Sequence, residues 1–589
     1  MLFIPFLYTS SFSNSIDSAF EKKLYESHIW KALLHVRDNE AKINNSSFLL
    51  SANSFSLKNE LIKTIENFEA GKDICKYPAR YLWLNQELTN NKFKKFDCPN
   101  FRNYIEKTSP EEIQLIFASE NIKNPSSMMG HIFFKIKSKK EQDIVKENAV
   151  SFFTVIDTFN IPLLITKSTL TGMKGYFIVN PYKKQISNYI NNEERNIWEY
   201  NLKLTEFEKK LIYYHFWELK DIDLTYYFTG FNCATMIDDI LSLTKKDYME
   251  KNSLWITPKD VIKNAERNDL IKNSKMIPSI EWELNMLAEN VNSVKINEIL
   301  ELFNKKEFSN LRKLNYTQDI KSKNLEKEFI LVYAKYLFLN KHILTYEEYL
   351  FITNIVENNQ DFVIDIKKYK NPLKTFDDSQ ISFLYLNNED KDYLGLSFLG
   401  ASNTIFDDNR EYFSESSLKI GEINFLFEKD KVHLNSLNIY DMKSLIPWNN
   451  ITKELSKEFR LSYEHHNDKY LNNINVMNIS GGVGVTNKIH NDMFLYNLLD
   501  IGAGINFEKS YPYSSFETGI IIYEILNMKT VLSNEFIYNQ DNSNSYYQKL
   551  NFNQSLFTKK IIRWDINLEK IIEEESEKES LMLRFNYFF

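Results

Sequence analysis

The chain has 589 residues and carries 72 Lys and Arg against 79 Asp and Glu, a formal net charge of −7 at pH 7. That length is too great for one domain, and the acidic balance argues against nucleic acid as the main partner. No run of about 20 apolar residues follows the N-terminus, so a helical membrane span is excluded.

The first residues, Met1 to Ser13, read as the hydrophobic part and small-residue cleavage region of a signal peptide, without the basic start. Residues 1–19 are therefore a candidate signal peptide. Residues 20–98 are predicted to be a helical module, from the spacing of Leu24, Ile29, Trp30, Leu33 and Leu34 and again of Leu61, Ile62 and Ile65. Cys75 and Cys98 flank one segment of this module. In an exported chain they form a natural disulfide, closing a loop of roughly 20 residues and contributing about 3 kcal/mol in the chain-entropy model.

Residues 99–258 mix strands and helices. Gln114–Ala118, Ile132–Ile136 and Ala149–Ile156 read as strands, and Asn192–Leu219 reads as mainly helical. Residues 259–377 carry further helical patterns, as in Glu328–Leu337. From 378 to 589 the pattern turns to long alternating strands separated by Asn-, Asp- and Lys-rich turns. About 12 strands are expected there, an even number that suits a closed barrel. Leu581, Leu583, Phe585, Tyr587 and Phe589 fall on one strand face, with Arg584 and Asn586 on the other. Ile562, Trp564, Ile566 and Leu568 repeat this pattern. Such alternation over strands of 9–11 residues fits an outer-membrane barrel; a soluble antiparallel sheet with one buried face is the alternative.

Of 3 cysteines, Cys233 is the one left over. It stands in Tyr226-Tyr227-Phe228-Thr229-Gly230-Phe231-Asn232-Cys233-Ala234-Thr235, at the start of a helical pattern, where the helix dipole favours thiolate. His131, in Pro125-Ser126-Ser127-Met128-Met129-Gly130-His131, leads into a strand. A thiol and an imidazole brought together make a nucleophile and general base, whereas most free cysteines are simply small buried hydrophobes. Ser151 or Asn148 on the next strand are candidates to orient the histidine. Ser127 and Asn232 are candidate oxyanion donors, with turn and helix-cap roles as their alternatives. Arg195 is a candidate phosphate or carboxylate binder, or else part of a helix salt bridge. Trp198, Tyr200 and His215 read as core. His465-His466 lacks a nearby partner set, so neither a metal site nor a cofactor is expected.

The ordered set formed by Pro125–His131, Glu194–Tyr200 and Tyr226–Cys233 resembles the family known as DUF4105, or the Lnb N-terminal periplasmic domain, over residues 25 to 280. The segment Cys75-Lys76-Tyr77-Pro78-Ala79-Arg80 resembles a module that often precedes it. The resemblance implies an α+β papain-like thiol fold of the permuted NlpC/P60 type, also similar to lecithin:retinol acyltransferases, with histidine before cysteine. It also implies acyl transfer from a phospholipid to a lipoprotein. The expected protein is an outer-membrane β-barrel holding a cysteine acyltransferase in the periplasm, with phospholipid or lipoprotein as substrate. A thiol hydrolase acting on cell-wall peptide and a non-catalytic channel or anchor are the competing readings.

Overall fold

The computed structural model describes residues 14–88, 93, 96–108, 110–121, 129–138, 145–155, 161–245, 248, 255–356, 370–388, 391–429, 431–468, 470–506, 510–540, 545–574 and 576–589. Residues 1–13 of the expected signal segment lie outside this set. Residues 14–19 open helix α1 (Asn14–Glu21), where Ile16 and Ala19 are buried in the core.

The N-terminal module continues through α2 (His28–Leu33), a two-stranded hairpin of β1 (Val36–Arg37) and β2 (Glu40–Ala41), α3 (Leu57–Glu69), α4 (Pro78–Glu87) and α5 (Pro99–Thr108). Trp30 stacks on Trp83 at 5.6 Å. Buried Arg80 donates to Glu60 at 2.9 Å, so neither charge is left unpaired away from water. Cys75 and Cys98 are bridged, with Cα atoms 5.4 Å apart.

A seven-stranded antiparallel sheet follows, in the order β8-β6-β5-β4-β3-β7-β9. Its strands are β3 (Pro110–Ala118), β4 (His131–Ser138), β5 (Glu147–Thr154), β6 (Met173–Pro181), β7 (Ile197–Leu202), β8 (Leu224–Tyr226) and β9 (Ile271–Ile277). Between them come α6 (Ile161–Thr166), α7 (Tyr182–Asn191), α8 (Glu206–Leu219), α9 (Cys233–Leu241) and α10 (Pro258–Arg267). One face of the sheet packs on α8 and α9 through Leu115, Ile132, Phe134 and Phe152. The other packs on α7 through Ile116, Phe133 and Ala149.

Two differences from the sequence reading stand out. Residues 197–202, expected within a helix, form β7, and β9 completes the sheet beyond residue 258. Ile197, Trp198, Glu199 and Tyr200 are all buried. A strand covered on both faces loses the period-two signal. Glu199, which reads as a helix's polar position, is held inside by Lys135 at 2.9 Å and by Tyr182 at 2.5 Å.

Helices α11 (Ile280–Asn290), α12 (Ser293–Asn304), α13 (Ile320–Leu339) and α14 (Tyr346–Ile355) form a separate core around Phe303, Phe329 and Tyr333. Then come twelve strands: β10 (Gln380–Asn388), β11 (Lys391–Asn403), β12 (Glu415–Glu428), β13 (Lys431–Leu445), β14 (Ser456–Asn467), β15 (Asn473–His490), β16 (Met493–Ile505), β17 (Ser510–Glu524), β18 (Met528–Asn539), β19 (Ser545–Thr558), β20 (Ile562–Glu573) and β21 (Ser576–Phe588). Each pairs with its neighbour, and β10 pairs with β21 from Gln380↔Phe588 to Asn388↔Ser580, which closes the barrel.

Period-two alternation puts Leu583, Trp564, Ile566, Leu499 and Ile501 on the outer surface. Trp564 meets Phe585 across the strand pair at 4.6 Å. Closure leaves no sheet edge to lipid, where each unpaired backbone group would cost several kcal/mol.

Helix α10 seats the sheet domain on the barrel end where β10 starts and β21 finishes. Lys259 pairs with Asp378, Thr257 Oγ1 donates to Asp378 at 2.6 Å, and Lys263 donates to the carbonyls of Thr375 and Phe376 at 2.6 Å each. Trp255 lies so close to β11 that a Cβ at Gly400 would come within 3.1 Å of its ring.

Candidate functional site

The site grows from the start of α9. Asn232 is extended, and its Oδ1 accepts the N–H groups of Ala234 at 2.8 Å and Thr235 at 3.0 Å. Its own N–H donates to Thr235 Oγ1 at 2.7 Å, completing a reciprocal capping box. Its Nδ2 is spent on the carbonyls of Phe228 and Ile256. The side chain of Asn232 is thus fully engaged in fixing the helix start, and the next residue, Cys233, is held at the first helical position.

The Cys233 sulfur is buried. Burial pushes its thiol up from the ordinary value, opposed by the Tyr226 hydroxyl, by the N–H groups of Ile132 and Ala234, and by the charge of Arg195. The thiolate expected from the helix start is therefore not the resting form. Desolvation of an ion at a nearly dry position outweighs the dipole of one helix end.

His131 opens β4, and Ile132, whose N–H reaches the sulfur, follows it directly. Cys233 consequently lies against the first residues of the histidine's strand. The imidazole stacks on Phe133 at 5.8 Å and meets Tyr189 of α7 at 6.2 Å. His131 and Phe133 share the α7 face of the sheet, while Ile132 points to the α9 face. Thiol and imidazole therefore approach the end of β4 from its two sides. Burial, then the charge of Arg195, pushes the imidazole down to about 3, so it is neutral at neutral pH.

Arg195 acts on both members of this pair. Its guanidinium donates to the carbonyls of Ser119 and Ala118 at 2.7 Å each and pairs with Glu193 at 3.0 Å. It also lies over the Tyr189 ring at 4.9 Å. These partners make it a fixed, buried cation. Ser151 is buried on β5 and accepts from Gln185 Nε2 of α7 at 2.7 Å. Gln185 also lies near the Tyr189 hydroxyl, so Ser151, Gln185, Tyr189 and His131 form a line along the α7 face. Among the described residues, no hydrogen bond joins Ser151 to the imidazole. Asn148, the other candidate on this strand, pairs with Pro181 at the far end of β5. Ser127 lies outside the described residues.

Sequence reasoning assigned no role to Tyr226, Gln185 or Tyr189. Tyr226 lies in the quoted motif, seven residues before the cysteine, but only the pairing of β8 with β6 reveals that its hydroxyl faces the sulfur. His215, read as core, is fully buried. Its Nε2 is 3.0 Å from His35 Nε2, and its Nδ1 is 3.1 Å from Glu218. His466 faces the barrel interior and bonds Tyr511 at 2.9 Å.

A closed antiparallel barrel with an apolar outer surface, bearing a sheet domain on the end that holds both its chain ends, defines an outer-membrane protein with a periplasmic domain. Comparisons agree in part. Residues 100–268 match the model of the Lnb N-terminal periplasmic domain. Residues 369–588 match a domain of unknown function, DUF7840, and residues 22–87 another, DUF7843. No curated protein matches the chain.

Among solved structures, the chain is similar to a loop-deletion mutant of the outer membrane protein OmpT of Vibrio cholerae, at 9% identity and a TM-score of 0.21, over 36% of this chain and 97% of that one. It is also similar to the NanC porin, at 5% identity and a TM-score of 0.24, over 36% and 99%. A third is the anion-selective porin from Comamonas acidovorans, at 8% identity and a TM-score of 0.19, over 36% and 98%. At such scores the likeness adds nothing to the strand pairing, which establishes the barrel by itself.

Proposed function

We propose that this protein is an outer-membrane-anchored cysteine acyltransferase of the periplasm, with a permuted papain-like, NlpC/P60-type thiol domain that works through an acyl-thioester on Cys233. The observation that carries the reading is the buried Cys233 sulfur at a capped helix start, faced by the Tyr226 hydroxyl and the Ile132 N–H at the end of the strand that His131 opens.

The resting pair is a thiol and a neutral imidazole. As sulfur attacks an ester carbonyl of a phospholipid, His131 takes the thiol proton. The carbonyl oxygen becomes an oxyanion, and the fixed charge of Arg195 and the N–H groups around the sulfur favour that charge. The carbon–oxygen ester bond then breaks, the leaving alkoxide takes the proton from His131, and a lysophospholipid departs. An amine, such as the amino terminus of a lipoprotein, attacks the thioester. Its proton passes through His131 to the sulfur and restores the thiol.

Two features support transfer over hydrolysis. A barrel anchor keeps the site beside lipid, and the sulfur's burial shields a thioester from water. The test is intact-mass spectrometry of the full chain after incubation with phospholipid vesicles. An added acyl mass that hydroxylamine removes, and that Cys233→Ala abolishes, is expected. A wild-type protein that stays unmodified with vesicles but cleaves muropeptides through Cys233 would replace transferase with cell-wall hydrolase.

A further inference from the structure

The loop joining β11 to β12, residues 404–414, does not lie flat outside the barrel mouth. Asp407 and Asn409 are buried to 1% exposure. Asp407 pairs with Arg563, a lumen residue of β20 that also holds Asp565 at 2.9 Å. Thr404 Oγ1 accepts from the same arginine at 3.0 Å. Lys529 of β18 donates to the Asp407 carbonyl and to Glu415 at 2.8 Å each. The Asn409 N–H donates to the Tyr523 hydroxyl at 3.0 Å. The loop is thus pegged to β17, β18 and β20 from within.

Around these pegs the cross-section is apolar. Ile405 and Phe406 from the loop, with Phe376 from the segment entering β10, pack on Tyr496, Leu498, Ile521, Val531 and Phe557. Phe376 meets Phe588 of the last strand at 4.4 Å. Arg563 and Lys529 are both fully buried. Charges withdrawn from water this completely are tolerable only while paired, so an open, hydrated lumen at this level would be a different state.

The outer side of the same loop carries the sheet domain. Tyr412 Oη accepts from Lys259 of α10 at 2.6 Å. Glu411 accepts the Asn371 N–H at 2.8 Å, and the Arg410 carbonyl accepts from Lys370 at 2.8 Å. From Thr257, at the start of α10, one residue leads back to Ile256, whose carbonyl receives the Asn232 cap of Cys233.

We infer that the 404–414 loop is a plug that closes the barrel at its periplasmic end and serves at the same time as the seat of the sheet domain. The barrel is therefore a sealed mount, not a conduit, and substrate reaches Cys233 from the periplasm or the adjacent leaflet and never through the lumen. The inference is independent of the chemistry at Cys233.

Planar-bilayer recording of the purified full chain tests it. Wild type should show no steady conductance above the lipid background. A variant with residues 405–411 replaced by a Gly-Ser segment should conduct in steps while keeping the heat-modifiable mobility of a folded barrel. A conducting wild type, or a folded loop variant that stays silent, overturns the inference. Should the loop variant not fold, Ser555→Cys provides the second measurement, because Ser555 lies in the lumen beside Asp565 at 2.8 Å. In proteoliposomes it should resist a membrane-impermeant maleimide, and rapid labelling against the parent chain would overturn the plug.

Discussion

The sheet domain and the barrel solve the same problem in opposite ways. In the sheet domain helices cover both faces, so the interior is apolar and charges enter it singly and paired, as Lys135 with Glu199 or Arg195 with Glu193. In the barrel an apolar surface faces outward and the charges face inward, as Lys443 with Glu458 and Glu517, and Arg563 with Asp407 and Asp565, beside the apolar cluster at the plug. The lesson concerns what polar groups are for. In the barrel they fill and close a space that lipid-facing side chains cannot reach. In the sheet domain they are held one by one inside an apolar interior, as Arg195 near the Cys233 sulfur and His35 with Asp239 behind α9.

That contrast breaks most visibly at Arg563. Replacing it with Ala leaves Asp407 and Asp565 buried without their partner, and breaking a buried ion pair from one side costs about 3–5 kcal/mol. The barrel's heat-modifiable transition should fall accordingly, and the plug should loosen. Reactivity of Cys233 toward a small permeant thiol reagent should change far less, because among the described residues no hydrogen bond or ion pair joins the plug's inner pegs directly to α9. An equal loss in both regions would mean that they fold as one unit.

A somewhat smaller effect is expected on the outer face. Leu583→Arg puts a charge into lipid, at about 2–4 kcal/mol near the bilayer midplane and less toward the interfaces. The same exchange at Arg584, one residue along and facing inward, tests the alternation from the other side: Arg584→Leu should leave assembly into the membrane intact. Measured folding into vesicles that ranks the two changes in reverse order would show the strand to be turned over.

How legible these regions were follows from the same contrast. Barrel strands keep one face in lipid and one in a polar lumen, so Ile562–Leu568 and Leu581–Phe589 display their period in the sequence, and their number and outer-membrane setting could be read. β7 is buried on both faces, so Ile197–Leu202 displays none and resembled a helix. At the site, Cys233 and His131 were visible as residue types in local settings, a helix start and a strand start. Tyr226, Gln185 and Tyr189 were not, because each acts through a sheet pairing or a helix packed across the sheet. The protonation of the thiol was also illegible. A helix start is local and can be read, whereas burial of the sulfur comes from the whole domain.

The smallest expected effect separates the two regions by pH. Behind α9, His35 Nδ1 binds Asp239 at 2.9 Å, and Arg37 binds Asp239 at 2.5 Å and Asp238 at 2.9 Å. His35 and His215 meet through their Nε2 atoms, and His215 Nδ1 faces Glu218, with Arg80 3.7 Å from the same carboxylate. The contact between the two Nε2 atoms needs one donor and one acceptor, so it accommodates one proton and not two. Burial lowers the His215 pKa, against the pull of Glu218. A histidine depressed in the folded state takes up its proton more readily when unfolded. Its contribution is therefore intact above the unfolded value of about 6.5 and is lost as pH falls below that toward the folded value. Burial of His131 acts in the same direction, with a folded value of about 3. The thermal transition reported by Trp30 and Trp83 fluorescence should thus fall between pH 7 and pH 5. His215→Gln should lower stability at pH 7 yet flatten this slope, while His131→Gln should flatten it only in part. The barrel's heat-modifiable transition serves as the internal reference, and His215→Gln should leave its pH dependence unchanged. A wild-type sheet domain whose transition is flat across this range would show that the paired histidines take up acid without cost, and the two interiors would then differ in placement but not in their response to protons.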